Sequence, residues 1–80
     1  MQSKAELYRD IAVLLDHKER LEKEREEVKV MRNEYVYVNI GRDLFNESLR
    51  IDRELYLMIL NARISDIDKA INIIKDKINN

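Results

Sequence analysis

One apolar stripe in the C-terminal third of the chain constrains its fold most. Leucine or isoleucine fills successive a and d positions of a heptad repeat without a break, at Leu57, Leu60, Ile64, Ile67, Ile71, Ile74 and Ile78. Such a repeat is typical of a helix whose apolar seam packs against a second helix. It predicts a helix over about residues 48–79, for which Ser48 is a suitable N-cap.

The N-terminal part of the chain supplies a partner for this helix. The letters SKAE match a capping box, in which Ser3 accepts a hydrogen bond from the Glu6 N–H and the Glu6 carboxylate returns one to Ser3. Apolar side chains then recur every seven residues, at Leu7, Leu14, Leu21 and Val28. Lys18 and Arg25 fall at a positions, so the apolar seam narrows in mid-helix. The pattern predicts a helix over about residues 3–33 and, with the second helix, an antiparallel coiled coil.

Between the two helices the chain alternates as a β-strand does. Three β-branched residues alternate with two tyrosines and an asparagine, as Tyr35, Val36, Tyr37, Val38, Asn39 and Ile40. A period of two in such residues predicts a strand. Gly41, the only glycine, can open a two-residue turn because it accepts a positive φ. A return strand through DLFNE then places Val38 opposite Phe45. The pattern predicts a β-hairpin over about residues 35–46; an irregular connection between the helices is the alternative.

A hairpin of two strands is marginally stable in water, and its edges and apolar face need cover. A thin coiled coil is not expected to provide that cover. A domain of 80 residues also buries only about 60% of the surface that its unfolded chain exposes. The sequence therefore predicts oligomer assembly through the hairpin, with the residues Val36, Tyr37, Val38, Ile40, Gly41, Leu44 and Phe45.

Charge and composition exclude several classes of function. Fifteen Lys and Arg are interleaved with sixteen Asp and Glu, for a net charge of −1, which favours neither nucleic acid nor an anionic membrane surface as a partner. The chain has no cysteine for a disulfide or a Cys-based zinc site. Its apolar runs are too short for a membrane span or a signal peptide. We expect a soluble, cytoplasmic protein.

Catalytic chemistry has little support in the sequence. His17 is the only histidine, and it lies in a charged helical run without a nucleophile or a second metal ligand beside it. No glycine-rich loop is present to hold a phosphate. We therefore predict that His17 is a surface residue and that the protein is not an enzyme and uses no cofactor or metal.

The order of these elements resembles that of a known family. The chain has, in order, a helix, a strand of the VY kind, glycine at the turn, a return strand of the LF kind and a Ser before the second helix. The letters YVNIGRDLFNES, which cover the hairpin, are similar to the hairpin of beta-class prefoldin subunits. The arms here are shorter than is usual in that family. The resemblance implies a hetero-hexamer whose hairpins form a β-barrel platform. Its coiled coils would hold unfolded polypeptides and pass them to a chaperonin.

In that family the client-binding tips lie where the two chain ends meet. Carried over to this sequence, the tip residues are Leu7, Tyr8, Ile73, Ile74 and Ile78. Ile73 lies off the heptad seam and is the best single candidate, whereas the seam residues are better explained as coiled-coil core. Leu55 and Ile59, also off the seam, are expected to pack against the platform or a neighbouring subunit. The alternative function is a coiled-coil scaffold or adaptor subunit that is not a chaperone.

Overall fold

A computed structural model describes residues 2–39 and 48–80. Its elements, in chain order, are α1 (Lys4–Lys29), β1 (Tyr35–Asn39), β2 (Ser48–Asp52) and α2 (Arg53–Asn79). The strands form an antiparallel two-stranded sheet. Lys18 meets Asp68, and Arg25, further along α1, meets Asn61, so the helices are antiparallel as well. The molecule measures 47 × 31 × 15 Å, and the predicted order of helix, strand, strand and helix is confirmed.

Helix α1 begins as predicted and ends earlier. The Ser3 hydroxyl accepts a hydrogen bond from the Glu6 N–H at 3.2 Å, which is one of the two bonds of the predicted capping box. The last helical residue is Lys29, four positions before the predicted end at 33. Residues 30–34 instead run beside the start of α2, where the Arg53 N–H donates to the Glu34 carbonyl at 2.8 Å. The Arg53 guanidinium also donates to a main-chain carbonyl in this segment, that of Met31.

The register of the hairpin differs from the predicted one. Val36 pairs with Ile51 and Val38 pairs with Leu49, four residues beyond the predicted partner Phe45. The predicted pairing of Val38 with Phe45 is therefore wrong. A shift by an even number of residues keeps each side chain on its face of the sheet, so Val36 and Val38 still share the apolar face. The assembly residues predicted at Ile40, Gly41, Leu44 and Phe45, and the turn at Gly41, lie outside the described residues.

Helix α2 begins at Arg53, so the predicted start at Ser48 is wrong. The N-cap is Asp52, whose carboxylate accepts a hydrogen bond from the Leu55 N–H at 3.1 Å. Residues 48–52 form β2 because Leu49 and Ile51 alternate with polar residues and pair with the two valines of β1. Pairing with β1 satisfies the backbone groups of Leu49 and Ile51 and places these two apolar side chains beside the valines.

The core lies at the hairpin end of the molecule. Val28, Val36, Tyr56 and Leu60 form a buried cluster. Half-buried apolar side chains surround this cluster, from both helices and both strands: Leu21, Val38, Ile51 and Leu57. Val36 is only 9% exposed within a single chain. The expectation that the helices could not cover the hairpin's apolar face is therefore wrong for Val36, whereas Val38 and Ile51 are half-buried and Leu49 is exposed.

The heptad seam of α2 is confirmed along its whole length. All seven of its residues are buried or half-buried, and the fully buried member is Leu60. Farther from the hairpin, Ile64 and Ile71 of α2 and Leu7 of α1 are buried in the contact between the two helices. The two-helix pairing that the sequence predicted thus extends to the chain ends.

Candidate functional site: the two ends of the helical arm

The outer face of the hairpin exposes aromatic side chains. Tyr35 and Tyr37 point away from the core because side chains alternate along β1 and Val36 points inward. Tyr37 is 71% exposed and Tyr35 is 42% exposed. The Arg50 guanidinium lies 4.5 Å from the centre of the Tyr35 ring, at the distance of a cation–π contact. The predicted assembly residue Tyr37 is thus accessible to a partner, whereas Val36 is in the core.

Each strand of the hairpin has one free edge in the described part of the chain. β1 and β2 pair with each other and with no other described strand. The two edges differ in charge: β1 contains no charged residue, whereas β2 carries Arg50 and Asp52. Charged residues on an edge strand oppose pairing with another chain. The β1 edge lacks that protection.

Further apolar side chains are exposed around the hairpin. They come from the segment after α1, from β2 and from the first turns of α2: Val30, Met31, Leu49, Leu55 and Met58. Val30 is the most exposed of them at 80%, and Met58 follows at 67%. The half-buried Ile59 and the exposed Ala62 continue the stripe on α2, at the i, i+3, i+4 and i+7 positions of a helix face that begins at Leu55. The first turns of α2 therefore have two apolar sides. One is the heptad seam, which packs against the rest of the chain, and the other is the exposed stripe that begins at Leu55.

The opposite end of the arm carries the predicted client-binding residues. Tyr8 is 59% exposed and Ile73 is 57% exposed. Leu7, by contrast, is only 7% exposed, and Ile74 and Ile78 are half-buried in the seam. Of the five candidates, Tyr8 and Ile73 are the two whose side chains are mostly exposed.

Polar contacts cross the middle of the helix pair. The Lys18 ammonium lies 2.7 Å from the Asp68 carboxylate, and the Arg25 guanidinium donates to the Asn61 amide oxygen at 3.0 Å. The hydrogen bond to Asp68 raises the pKa of the Lys18 ammonium. The two cations stand where the heptad pattern placed a polar interruption, so their positions were predicted and their partners were not. These contacts favour one alignment of the helices, because a displaced helix would leave both cations without these partners.

Sequence reasoning missed one polar contact of the core. Tyr56, 8% exposed, donates its phenolic hydrogen to the Glu24 carboxylate. Burial of the phenol, together with this hydrogen bond, raises the pKa of Tyr56 to about 12. Tyr56 lies one position before the first seam residue, Leu57. Its only signal in the sequence is that it is an aromatic residue beside the seam. Its hydroxyl connects the core to the charged surface of α1.

The described residues contain no candidate metal centre. His17 is exposed, as predicted for a surface residue. Within residues 2–39 and 48–80, His, Cys, Asp and Glu nowhere form a group of three or more able to hold a metal ion. In the same residues, neither helix has the length and apolar character needed to cross a membrane. The absence of enzymatic activity stays a prediction.

Comparison with known proteins does not identify a family. No protein-family model matches the sequence, and the chain matches neither a curated protein nor a solved structure. The similarity to prefoldin therefore depends on the hairpin residues and on the order of the elements. Both ends of the arm remain candidate sites for partners.

Proposed function

We propose that this chain is a prefoldin-like chaperone subunit, joined to other subunits at its hairpin and binding unfolded polypeptides at its free helix ends. The observation that carries this proposal is the placement of accessible apolar side chains at both ends of a long helical arm. Tyr37 is exposed at one end, and Tyr8 and Ile73 are exposed at the other. An arm of this design separates assembly from client binding by most of the 47 Å length of the molecule.

Assembly at the hairpin is supported by the free strand edges and by the apolar side chains around them. In the proposed complex, hairpins of prefoldin-type subunits pair edge to edge into a β-barrel platform, as in the hetero-hexamer that the resemblance implies. The partners are then other subunits, unfolded polypeptides and a chaperonin that receives the client. Cytoplasmic location is part of the same proposal.

Client binding at the tips depends on several arms acting together. Of the predicted tip residues, Tyr8 and Ile73 are the two that are well exposed, and so few apolar contacts would hold a polypeptide weakly. Arms held around one cavity raise the effective concentration of each further contact, and affinity can increase by ~10²–10⁴. The platform is therefore required for function even though it does not touch the client.

A double variant at the tip tests this proposal. The double variant Tyr8→Ser with Ile73→Ser should leave the oligomer intact. It should protect a chemically unfolded protein from aggregation less well than the wild type does, and turbidity measures that aggregation. The comparison variant is Met58→Ser, which removes an exposed apolar side chain at the hairpin end; a loss of suppression in this variant should be accompanied by loss of the oligomer, unlike the loss in the tip variant. Full protection by the tip variant, with its oligomer preserved, would exclude these residues as the client site.

A scaffold or adaptor function is the second candidate. The stripe that begins at Leu55 and includes Met58 favours it, because apolar residues at i, i+3, i+4 and i+7 are the pattern with which one helix binds another. For a scaffold, Met58→Ser would weaken partner binding and the tip variant would have no effect. The same two variants therefore separate the two functions.

A further inference from the structure

Among the described residues no strand pairs with the outer edge of β1, and this edge has an unusual composition for an exposed strand. Its residues, YVYVN, include no charge, no proline and no glycine, and four of the five are aromatic or β-branched. Natural proteins protect exposed edges with charged residues, prolines or bulges, because an unprotected edge pairs with another strand. High β-propensity without charge is also the composition that favours association between strands.

The hydrogen-bond pattern shows which backbone groups face this free edge. The Arg53 N–H donates to the Glu34 carbonyl at 2.8 Å, one step beyond the pairing of Tyr35 with Asp52. In an antiparallel ladder, hydrogen-bonded pairs alternate with pairs that are not hydrogen-bonded. Residues 36 and 38 therefore direct their N–H and C=O groups toward β2. Residues 35, 37 and 39 direct theirs toward the free edge.

We propose that β1 pairs antiparallel with β1 of a second copy of this chain, around a two-fold axis at Tyr37. This inference deepens the assembly part of the proposed function by naming a partner for one edge. In this register Tyr37 lies opposite the partner's Tyr37, and Tyr35 lies opposite the partner's Asn39. Those are the residues whose backbone groups face the edge, so each finds a donor and an acceptor. Val36 lies opposite the partner's Val38, which continues the apolar face of the sheet.

The charges of the two edges favour a second copy on β1 rather than on β2. Pairing of β1 with itself brings no like charges together, because the strand has none. Full overlap of β2 with a second β2 would place Arg50 opposite itself, and like charges directly opposite each other destabilise a sheet. The resulting four-stranded sheet runs β2, β1, β1 and β2. The charged β2 edges remain free for other subunits.

Opposite charges introduced at Tyr37 test the two-fold axis directly. Sedimentation or light scattering of the wild type should give twice the 9.6 kDa mass of one chain. Tyr37→Lys and Tyr37→Glu should each give the mass of a single chain, because residue 37 then meets a like charge. An equimolar mixture of the two variants should regain the dimer mass. A wild-type monomer, or a mixture that stays monomeric, would overturn the proposal.

Proline variants separate the two edges. Tyr37→Pro removes a backbone donor that faces the β1 edge and none that faces β2, so the pairing with β2 should be kept and the dimer should be lost. Arg50→Pro is the matched control: Arg50 lies opposite Tyr37, its N–H faces the β2 edge, and the dimer should persist. The reverse result would place the contact on β2 and overturn the proposal. Circular dichroism of each variant confirms that the helices remain folded.

The turbidity assay distinguishes failure of this inference from failure of the proposed function. A complex with other subunits that protects clients, although the chain alone is monomeric, would refute the β1 pairing and leave client binding intact. A chain that dimerises and dissociates in the Tyr37 variants, but whose complex with other subunits protects no client, would support the pairing and refute the chaperone function.

Discussion

The two ends of the helical arm are built differently, although one continuous seam joins them. At the hairpin end, two helices and a sheet meet around Leu60, which is 0% exposed. At the free end, α1 and α2 have only each other, and Leu7 and Ile71 keep 7% and 5% exposure. A pair of helices buries a narrow stripe, and a third element is needed to close a core around a side chain. Stability should therefore be concentrated at the hairpin end.

The largest effect is expected from a cavity at the hairpin end. Leu60→Ala should lower the free energy of unfolding by about 2–5 kcal/mol, because a fully enclosed site relaxes poorly after truncation. Ile71→Ala is the matched change at the free end and should cost less, since side chains and solvent can reach the gap. Urea denaturation of both variants at one chain concentration measures the difference. Equal losses would show that the two ends are equally well packed.

A smaller effect is expected from the hydroxyl that connects the core to α1. Tyr56→Phe keeps the buried ring and removes the hydrogen bond to Glu24, which should cost about 1–2 kcal/mol near neutral pH. The sign of its pH dependence follows from a folded-state pKa of about 12 against an ordinary value of 10.0. The neutral phenol stabilises the folded state fully below pH 10, and this contribution is lost as the pH rises through 12.

The measurement is the difference in stability between wild type and Tyr56→Phe from pH 8 to pH 12. The gap should narrow as the pH rises above 10.0, because only the wild type has this phenol to ionise. Titrating lysines affect both proteins alike and cancel in the difference. A gap that stays constant over this range would contradict a buried, hydrogen-bonded Tyr56.

The smallest effect is expected midway between the ends. Lys18 occupies a seam position and pairs with Asp68, and its side chain is 27% exposed. Exposed ion pairs contribute little, and methionine at this position would extend the apolar seam. Thermal unfolding of Lys18→Met should therefore show a melting temperature unchanged or slightly raised. A loss as large as that of Leu60→Ala would mean that the polar contact, and not the apolar seam, holds the middle of the arm.

Much of the fold could be predicted because its signals are periodic and local. The seam of α2 follows from a heptad count alone, and the cap at Ser3 follows from the identity of a few neighbouring residues. β1 was predicted from its alternation of valine and tyrosine and lies at Tyr35–Asn39. Each of these features depends on side chains that are close in sequence, a few residues apart in one helix or one strand.

The return strand could not be placed in this way. Gly41 suggested a turn and Ser48 suggested a helix start, and each is a sound local signal. Val38 nevertheless pairs with Leu49, and residues 48–52 form a strand. The observed alignment brings Tyr56 and Leu60 against Val28 and Val36 and leaves Asp52 to cap α2. Burial of that cluster is a contact between distant parts of the chain, which no local pattern contains.

For the candidate sites too, some features follow from the sequence and others depend on the tertiary structure. Sequence alone determined that Ile73 lies off the seam and that Tyr37 lies on the opposite face from Val36, because helix and strand periods fix such relations. Only the tertiary structure decided that Leu7 is covered, that Val36 belongs to the core and that the uncharged outer edge of β1 pairs with no other described strand. Burial and edge exposure depend on which elements meet. The physical reason is that periodicity sets the direction of a side chain along its own element, whereas packing between elements decides what that side chain meets.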